Sequence, residues 1–188
     1  MAAPRRPKPV TAEALEAAAL FYLERFASSS ANLRRVLLRR VRRSAALHGT
    51  DAAADTRLVD ALIERFLRTG LLDDRAYAEA KSASLHRRGA SSRVIAARLA
   101  GKGVERTLIE AMLRDPDDET RPGGDLAAAA ALARRRRLGP YRDPVLREQH
   151  RQKDLGTLAR AGFGQALAQR VLGAADPAAL EALLSAED

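Results

Sequence analysis

Two stretches decide the fold: LAGKGVERTLIEAML, from Leu99 to Leu113, and LARAGFGQALAQRVL, from Leu158 to Leu172. They align without a gap at an offset of 59 residues, with Leu99 on Leu158, Ala100 on Ala159, Gly103 on Gly162, Leu108 on Leu167 and Leu113 on Leu172. Val104/Phe163 and Met112/Val171 are further apolar pairs. Each copy reads as helix, Gly turn, helix. The glycine supplies the positive φ of a helix stop, and the apolar residue after it packs back onto the helix just ended. A helical pattern precedes each copy, at 75–88 and at 126–137, so each unit is a triplet of helices. Residues 11–69 hold three more. The simplest architecture is all-α: three tandem three-helix repeats in an elongated, curved array, about ten helices in all.

Working outward, Thr11 caps a first helix reaching about Ala27, with Leu15, Ala19, Tyr22, Leu23 and Phe26 on one face. The serines at 28–30 break it and cap a second helix whose stripe is Leu33, Val36, Leu37 and Val41. Residues 44–56 read as a loop. Leu58, Val59, Leu62, Ile63, Phe66 and Leu67 then form a strong helical stripe ended by Gly70. Asp73 or Asp74 caps the helix at 75–88, and Ser91 or Ser92 caps the next. Asp143-Pro144 and Asp176-Pro177 each open a later helix. No segment alternates at period two, so no strand is expected. The resulting division is a disordered basic arm at 1–10, repeats at 11–70, 71–114 and 125–173, a linker at 115–124, and a short helix with an acidic tail at 174–188.

Composition narrows the function. The chain has 188 residues, 46% hydrophobic but only 4% aromatic, so its core rests on Leu, Ala, Val and Ile. It has no cysteine, which excludes disulfides, thiolate metal sites and cysteine nucleophiles. No apolar run approaches 18 residues, and the sequence shows no signal peptide. The net charge is +9, concentrated in residues 1–50 with ten basic and three acidic side chains. Such a balance suits a polyanionic or acidic partner, although arginine on solvated faces would give the same count.

The arginines set the candidate contacts. Arg34, Arg35, Arg39, Arg40, Arg42 and Arg43 crowd the second helix, and Arg87 and Arg88 close the helix at 75–88. The run Arg134, Arg135, Arg136 and Arg137 closes the Ala-rich helix at 126–137. Planar guanidinium forks suit carboxylates or phosphates. Other motifs read as structure. Asp73 and Asp74 are helix caps rather than an acid–base pair. Gly101-Lys102-Gly103 lacks the spacing of a phosphate loop. His48, His86 and His150 show no ligand spacing and read as surface residues. The aromatic residues Tyr22, Phe26, Phe66, Tyr77 and Phe163 read as core. No nucleophile, base and metal come together, so the chain is read as non-enzymatic, with no cofactor.

Four strings resemble the RecX family of bacterial RecA modulators. They are ALFYLERFASSSANLRRVLLRR, LVDALIERFLRTGLLDDRAYAEA, RRGASSRVIAARLAGKGVERTLIEAML and LARAGFGQALAQRVL, together covering about residues 12–173. The resemblance implies a curved array of three-helix repeats that lodges in the groove of the RecA filament and bridges its subunits. It implies inhibition of filament growth, ATP hydrolysis, strand exchange and repressor co-cleavage, hence a role in recombination and the SOS response. The partner is then the RecA recombinase filament on single-stranded DNA, with direct contact to the DNA left open. The chain is expected to be monomeric, cytoplasmic and free of membrane. The rival reading is a stand-alone helix-turn-helix-type DNA-binding module.

Overall fold

In the computed structural model, which describes residues 9–114 and 124–186, every regular element is helical. The first triplet is α1 (Ala12–Leu23), α2 (Ser30–His48) and α3 (Ala52–Arg68). The second is α4 (Asp74–Arg87), α5 (Ser92–Gly101) and α6 (Arg106–Arg114). The third is α7 (Gly124–Arg136), α8 (Arg147–Arg160) and α9 (Gln165–Leu172), with α10 (Pro177–Ser185) after it. Two 3-10 turns, Gly139–Tyr141 and Pro144–Leu146, join α7 to α8. Among the described residues the expected all-α class and about ten helices therefore stand, and the helices follow one another in three triplets. The expected arm at 1–10 lies outside the described residues except for Pro9 and Val10, and the linker at 115–124 except for Gly124.

Three local expectations are corrected. The loop at 44–56 is almost entirely helix: α2 runs on through Ala45, Ala46 and Leu47, and only Gly49–Asp51 separates it from α3. Gly49 closes α2 at φ 66°, and the Asp51 carboxylate caps α3 by accepting from the Ala53 and Ala54 N–H groups (2.8 and 3.2 Å). Thr50 donates to Asp55 (2.9 Å), fixing the turn from inside. Good helix formers and two strong end signals thus outweigh the polar look of the segment. Helix α1 stops at Leu23, so Phe26 falls beyond it and is 55% exposed rather than in the core. His86, expected at the surface, is buried on the inner face of α4.

By its contacts the chain divides into two bodies. One holds residues up to Tyr77 together with Lys102–Val104; the other holds Ala78–Gly101 and the chain from Glu105 onward. The first body is built on Leu15, Leu33, Leu37, Val41, Val59 and Phe66, at spacings of four and seven along each helix, as an apolar stripe requires. The second contains a cluster of Leu126, Leu132, Leu158, Phe163, Val171 and Leu180. Each such buried side chain contributes about 1.5–3 kcal/mol of transfer free energy.

The repeats are joined by one device used twice. In the first body Ser29 caps α2 by accepting from the Asn32 N–H (3.2 Å), while its hydroxyl donates to the Lys102 carbonyl (2.6 Å). Next to it, Ser30 donates its N–H and its hydroxyl to the two oxygens of Asp74 (2.7 and 2.6 Å). In the second body Ser91 caps α5 by accepting from the Val94 N–H (3.3 Å), and its own N–H donates to the Ala161 carbonyl (3.4 Å). Ser92 donates its N–H and its hydroxyl to Asp125 (both 2.7 Å). The acceptor in each case is an acid in the first turn of the next triplet's opening helix. Asp73, by contrast, does the capping of α4, accepting from the Ala76 N–H (2.9 Å).

The two aligned glycines complete the joint. Gly103, at φ 78°, lies so close to α2 that a Cβ there would come within 2.5 Å of the Ala31 Cβ. Gly162, at φ 95°, would collide with the Ser91 hydroxyl and Val94. Each glycine is needed both for its left-handed backbone and for the closeness of the helix beneath it. Gly103→Ala and Gly162→Ala should each lower unfolding free energy by about 2–4 kcal/mol, from strain and overpacking together. Gly164→Ala, with open space around its Cβ position, should change it by less than about 1 kcal/mol. Urea unfolding followed by circular dichroism checks the contrast.

Candidate functional site

The candidate arginines fall into distinct settings. On α2 the inward stripe is Leu33, Leu37, Val41 and Ser44, which turns Arg35, Arg39, Arg40, Arg42 and Arg43 outward and leaves all five exposed. Arg34 is different. Its guanidinium forks onto Asp60 of α3 (2.6 and 3.1 Å), and the hydrogen bonds hold the Asp60 carboxyl below the ordinary carboxylate range. Arg34 thus links α2 to α3. Arg40 stands beside a groove between α1 and α2 lined by Ala18, Phe21, Phe26 and Val36, where the Arg25 guanidinium lies 3.8 Å from the Phe21 ring centre.

In the second body the cations converge. The α4–α5 turn, α5, α7 and α8 enclose a groove of about 630 Å³. Its cationic lining is Arg88, Arg98, Arg135, Arg136, Lys153 and Arg160, all exposed, and among the described residues no carboxylate lines it. Among the described residues none of the six is ion-paired; Arg160 donates only to the Thr157 hydroxyl (3.3 Å). Apolar Leu85, Val94 and Leu132 supply the remaining walls. Arg87, Arg134 and Arg137 are exposed but lie outside the groove lining. Arg137 closes α7 in the left-handed region at φ 53°, a conformation that costs a non-glycine residue about 1–2 kcal/mol.

The α8 contribution rests on a buried ion pair. Asp154, 1% exposed, accepts from Arg142 Nη2 and Nε (2.8 and 3.2 Å) and from the Gly139 N–H (3.1 Å). Arg147 donates to the Pro140, Arg142 and Ala175 carbonyls, tying the 3-10 turns to the chain after α9. Asp154 thus fixes α8 from its inner face, and Lys153, Thr157 and Arg160 project at spacings of four and three from the other.

Sequence reasoning found three of the six groove cations, Arg88, Arg135 and Arg136, because they sit in runs. It missed Arg98, Lys153 and Arg160, which are isolated in the chain. The signal that could have found them is spacing: Val94/Arg98 and Lys153/Thr157/Arg160 are rows on single helix faces, each running up to one of the aligned Gly turns.

Residues 73–113 match the family model described as RecX, second three-helix domain. The chain is 44% identical over 170 residues to the regulatory protein RecX of Myxococcus xanthus, covering 90% of this chain and 89% of that one. It is 32% identical over 145 residues to the regulatory protein RecX of a Mycobacterium species, covering 73% and 76%. The match to the RecX of Agrobacterium fabrum is 38% over 101 residues, covering 54% and 51%. This chain belongs to the RecX family. The matched segment 73–113 of this RecX-family chain begins at the capping Asp73 and spans both Asp74 and the Ser91–Ser92 pair, so it holds one half of each joint. No solved structure matches the chain. Among the described residues no helix is long and apolar enough to cross a membrane.

The two ion pairs should behave differently on truncation. Asp154→Ala leaves a largely buried guanidinium and an orphaned Gly139 N–H, and should cost about 3 kcal/mol. Arg34→Ala breaks a pair whose side chains are each 42% exposed, and should cost no more than about 1 kcal/mol. Chemical denaturation midpoints at constant m-value check both.

Proposed function

We propose that this chain is a non-enzymatic regulator that binds a RecA-type filament on single-stranded DNA and restrains it. The observation that carries the reading is the near full-length similarity to a protein named regulatory protein RecX. The structure supports it with two features. Helical repeats give reach, because each triplet is tied to the next by its own joint and needs no central core. Exposed, rigidly based arginines give an interface for the acidic groups and phosphates of a nucleoprotein filament. The action is mechanical: the repeats, at 11–70, 71–114 and 125–173, engage neighbouring recombinase subunits and obstruct subunit addition, which lowers ATP turnover and strand exchange. The expected setting is the cytoplasm, and the expected active form is a monomer.

Co-sedimentation with preformed RecA filaments on single-stranded DNA tests this, with ATPase read on the same samples. The protein should pellet with the filament and turnover should fall. Pelleting equally well with naked DNA, with turnover untouched, would instead make the chain a stand-alone DNA-binding module. Reversing Arg39, Arg40, Arg42 and Arg43 to Glu together should weaken filament association at least tenfold at about 0.1 M salt, because exposed charges act within a Debye length of about 10 Å. Helicity should not change, since all four side chains are exposed. Unchanged association across low and moderate salt would remove α2 from the interface.

A further inference from the structure

We infer that the apolar cleft between α1 and α2 is a docking site for an acidic, amphipathic helix of a protein partner. Helix α1, AEALEAAALFYL, carries only two charged side chains in twelve residues. Leu15 and Ala19 are buried in the first body, and Glu16 is held by Arg65 of α3 (2.6 Å). The opposite side, polar on an ordinary surface helix, presents Ala17, Leu20 and Phe21, all exposed, while Glu13 stands outside the cleft. A helix that is apolar on both sides is built to be covered on both. Phe21 and Phe26 are each 55% exposed and line the same cleft, of about 630 Å³. Large apolar side chains exposed side by side mark a contact surface.

The lining selects the occupant. Ala14, Ala17 and Ala18 recur at helical spacing along the cleft and are small, so a second helix backbone can approach α1 closely. The row from Ala14 to Arg25 spans about 16 Å, room for about three turns of a helix anchored at i, i+3 or i+4, and i+7. The aromatic end is fixed before anything binds. Asn32 of α2 donates its amide to the Tyr22 hydroxyl (3.1 Å), the Phe26 ring packs on Tyr22 with centroids 5.2 Å apart, and the Arg25 guanidinium covers the Phe21 ring at 3.8 Å. Docking therefore costs little ordering of these side chains. Charge decides the rest. Arg25 follows α1, Arg40 stands on α2 one turn past Val36, and both line the cleft. Among the described residues no carboxylate lines it, and neither arginine is ion-paired. An acidic partner face meets both cations. A second copy of this chain would set the two arginines against their own duplicates, and the stretch at 1–8 would add Arg5, Arg6 and Lys8 to them, so neither is the occupant.

The proposal does not rest on the filament reading, and its test contains no recombinase. The probe is a fluorescein-labelled model peptide of about 18 residues, long enough to form a helix. It carries Leu and Phe at i, i+3, i+4 and i+7 and Glu on the remaining face, and anisotropy follows its binding to the full-length chain at about 0.15 M salt. One control holds the same residues scrambled so that no apolar face forms, and another has Lys in place of Glu. The scrambled peptide keeps the charge, so general attraction to a chain of net charge +9 cancels in the comparison. The acidic amphipathic peptide should bind at least tenfold more tightly than either control, the aromatic anchors giving most of the difference. Phe21→Ser combined with Phe26→Ser should weaken its binding at least tenfold. Arg25→Gln combined with Arg40→Gln should weaken it by about threefold or more and flatten its dependence on salt. All four side chains are exposed, and an unchanged circular dichroism spectrum and unfolding midpoint confirm that the variants fold. Equal binding of the scrambled or the Lys peptide overturns the proposal, as does wild-type affinity in the Phe21/Phe26 variant. A dimer in sedimentation that the Phe21/Phe26 variant dissolves assigns the cleft to a second copy and overturns it too. Peptide binding that survives a failed co-sedimentation with RecA leaves this proposal standing, and failed peptide binding leaves the filament reading standing.

Discussion

A helix begins with backbone N–H groups that have no partner within the helix, and this molecule spends those groups on joining its repeats. At Ser29–Ser30 and again at Ser91–Ser92, the first serine satisfies the helix it caps and the second offers an N–H and a hydroxyl to an acid from the following triplet. The carboxylate lies at a helix N-terminus, where the macrodipole favours negative charge. It receives two short, charge-assisted hydrogen bonds, stronger than neutral ones. A Gly turn from the following triplet then closes over the same helix end, at Gly103 and at Gly162. Polar contacts set the register of the repeats here, and apolar contacts fill the space behind them.

The groove follows from that joint. Asp125 brings the start of α7 to the start of α5, and the turn holding Gly162 brings the end of α8 there too. Three helices from two triplets are thereby held against one another within the second body. The row ending in Arg98 on α5, the arginines near the end of α7, and the Lys153/Thr157/Arg160 row on α8 then face a common space. None of these cations needs to be near another in sequence. Their meeting is a property of the packed repeats, and Asp154 locks the α8 row in place by holding Arg142 and the Gly139 N–H from behind.

What was legible in the sequence had a short-range cause. Leu99/Leu158, Gly103/Gly162 and Leu113/Leu172 reveal the repeat because helix periodicity and helix stops are written locally. Thr11, Asp143 and Asp176 were legible as caps for the same reason, and each accepts from a nearby N–H. The α2–α3 connection was misread because Gly49, Thr50 and Asp51 resemble a longer loop, when three residues carrying a left-handed stop and an Asp cap suffice. Asp74 looked like a cap, yet its partner is Ser30, 44 residues away, and no local rule points there. Arg98, Lys153 and Arg160 were silent because convergence in space leaves no run in sequence.

Pairing divides the arginines into two groups. Arg34, Arg65, Arg106 and Arg142 each hold a carboxylate at 2.6–2.8 Å. The acids for such pairing are plentiful, 24 Asp and Glu in the chain, so the bare groove does not reflect a shortage. Two like charges about 7 Å apart in water repel by roughly 0.6 kcal/mol before screening, so a cluster of six lowers the stability of the second body by an amount that salt would relieve. Surface substitution to Gln or Glu would remove that repulsion at almost no packing cost, because every one of the six side chains is exposed. Within the described residues the cluster forms no ion pair that would offset this repulsion. The attraction of such a groove for any anion would scale with the same number of unpaired charges that repel one another.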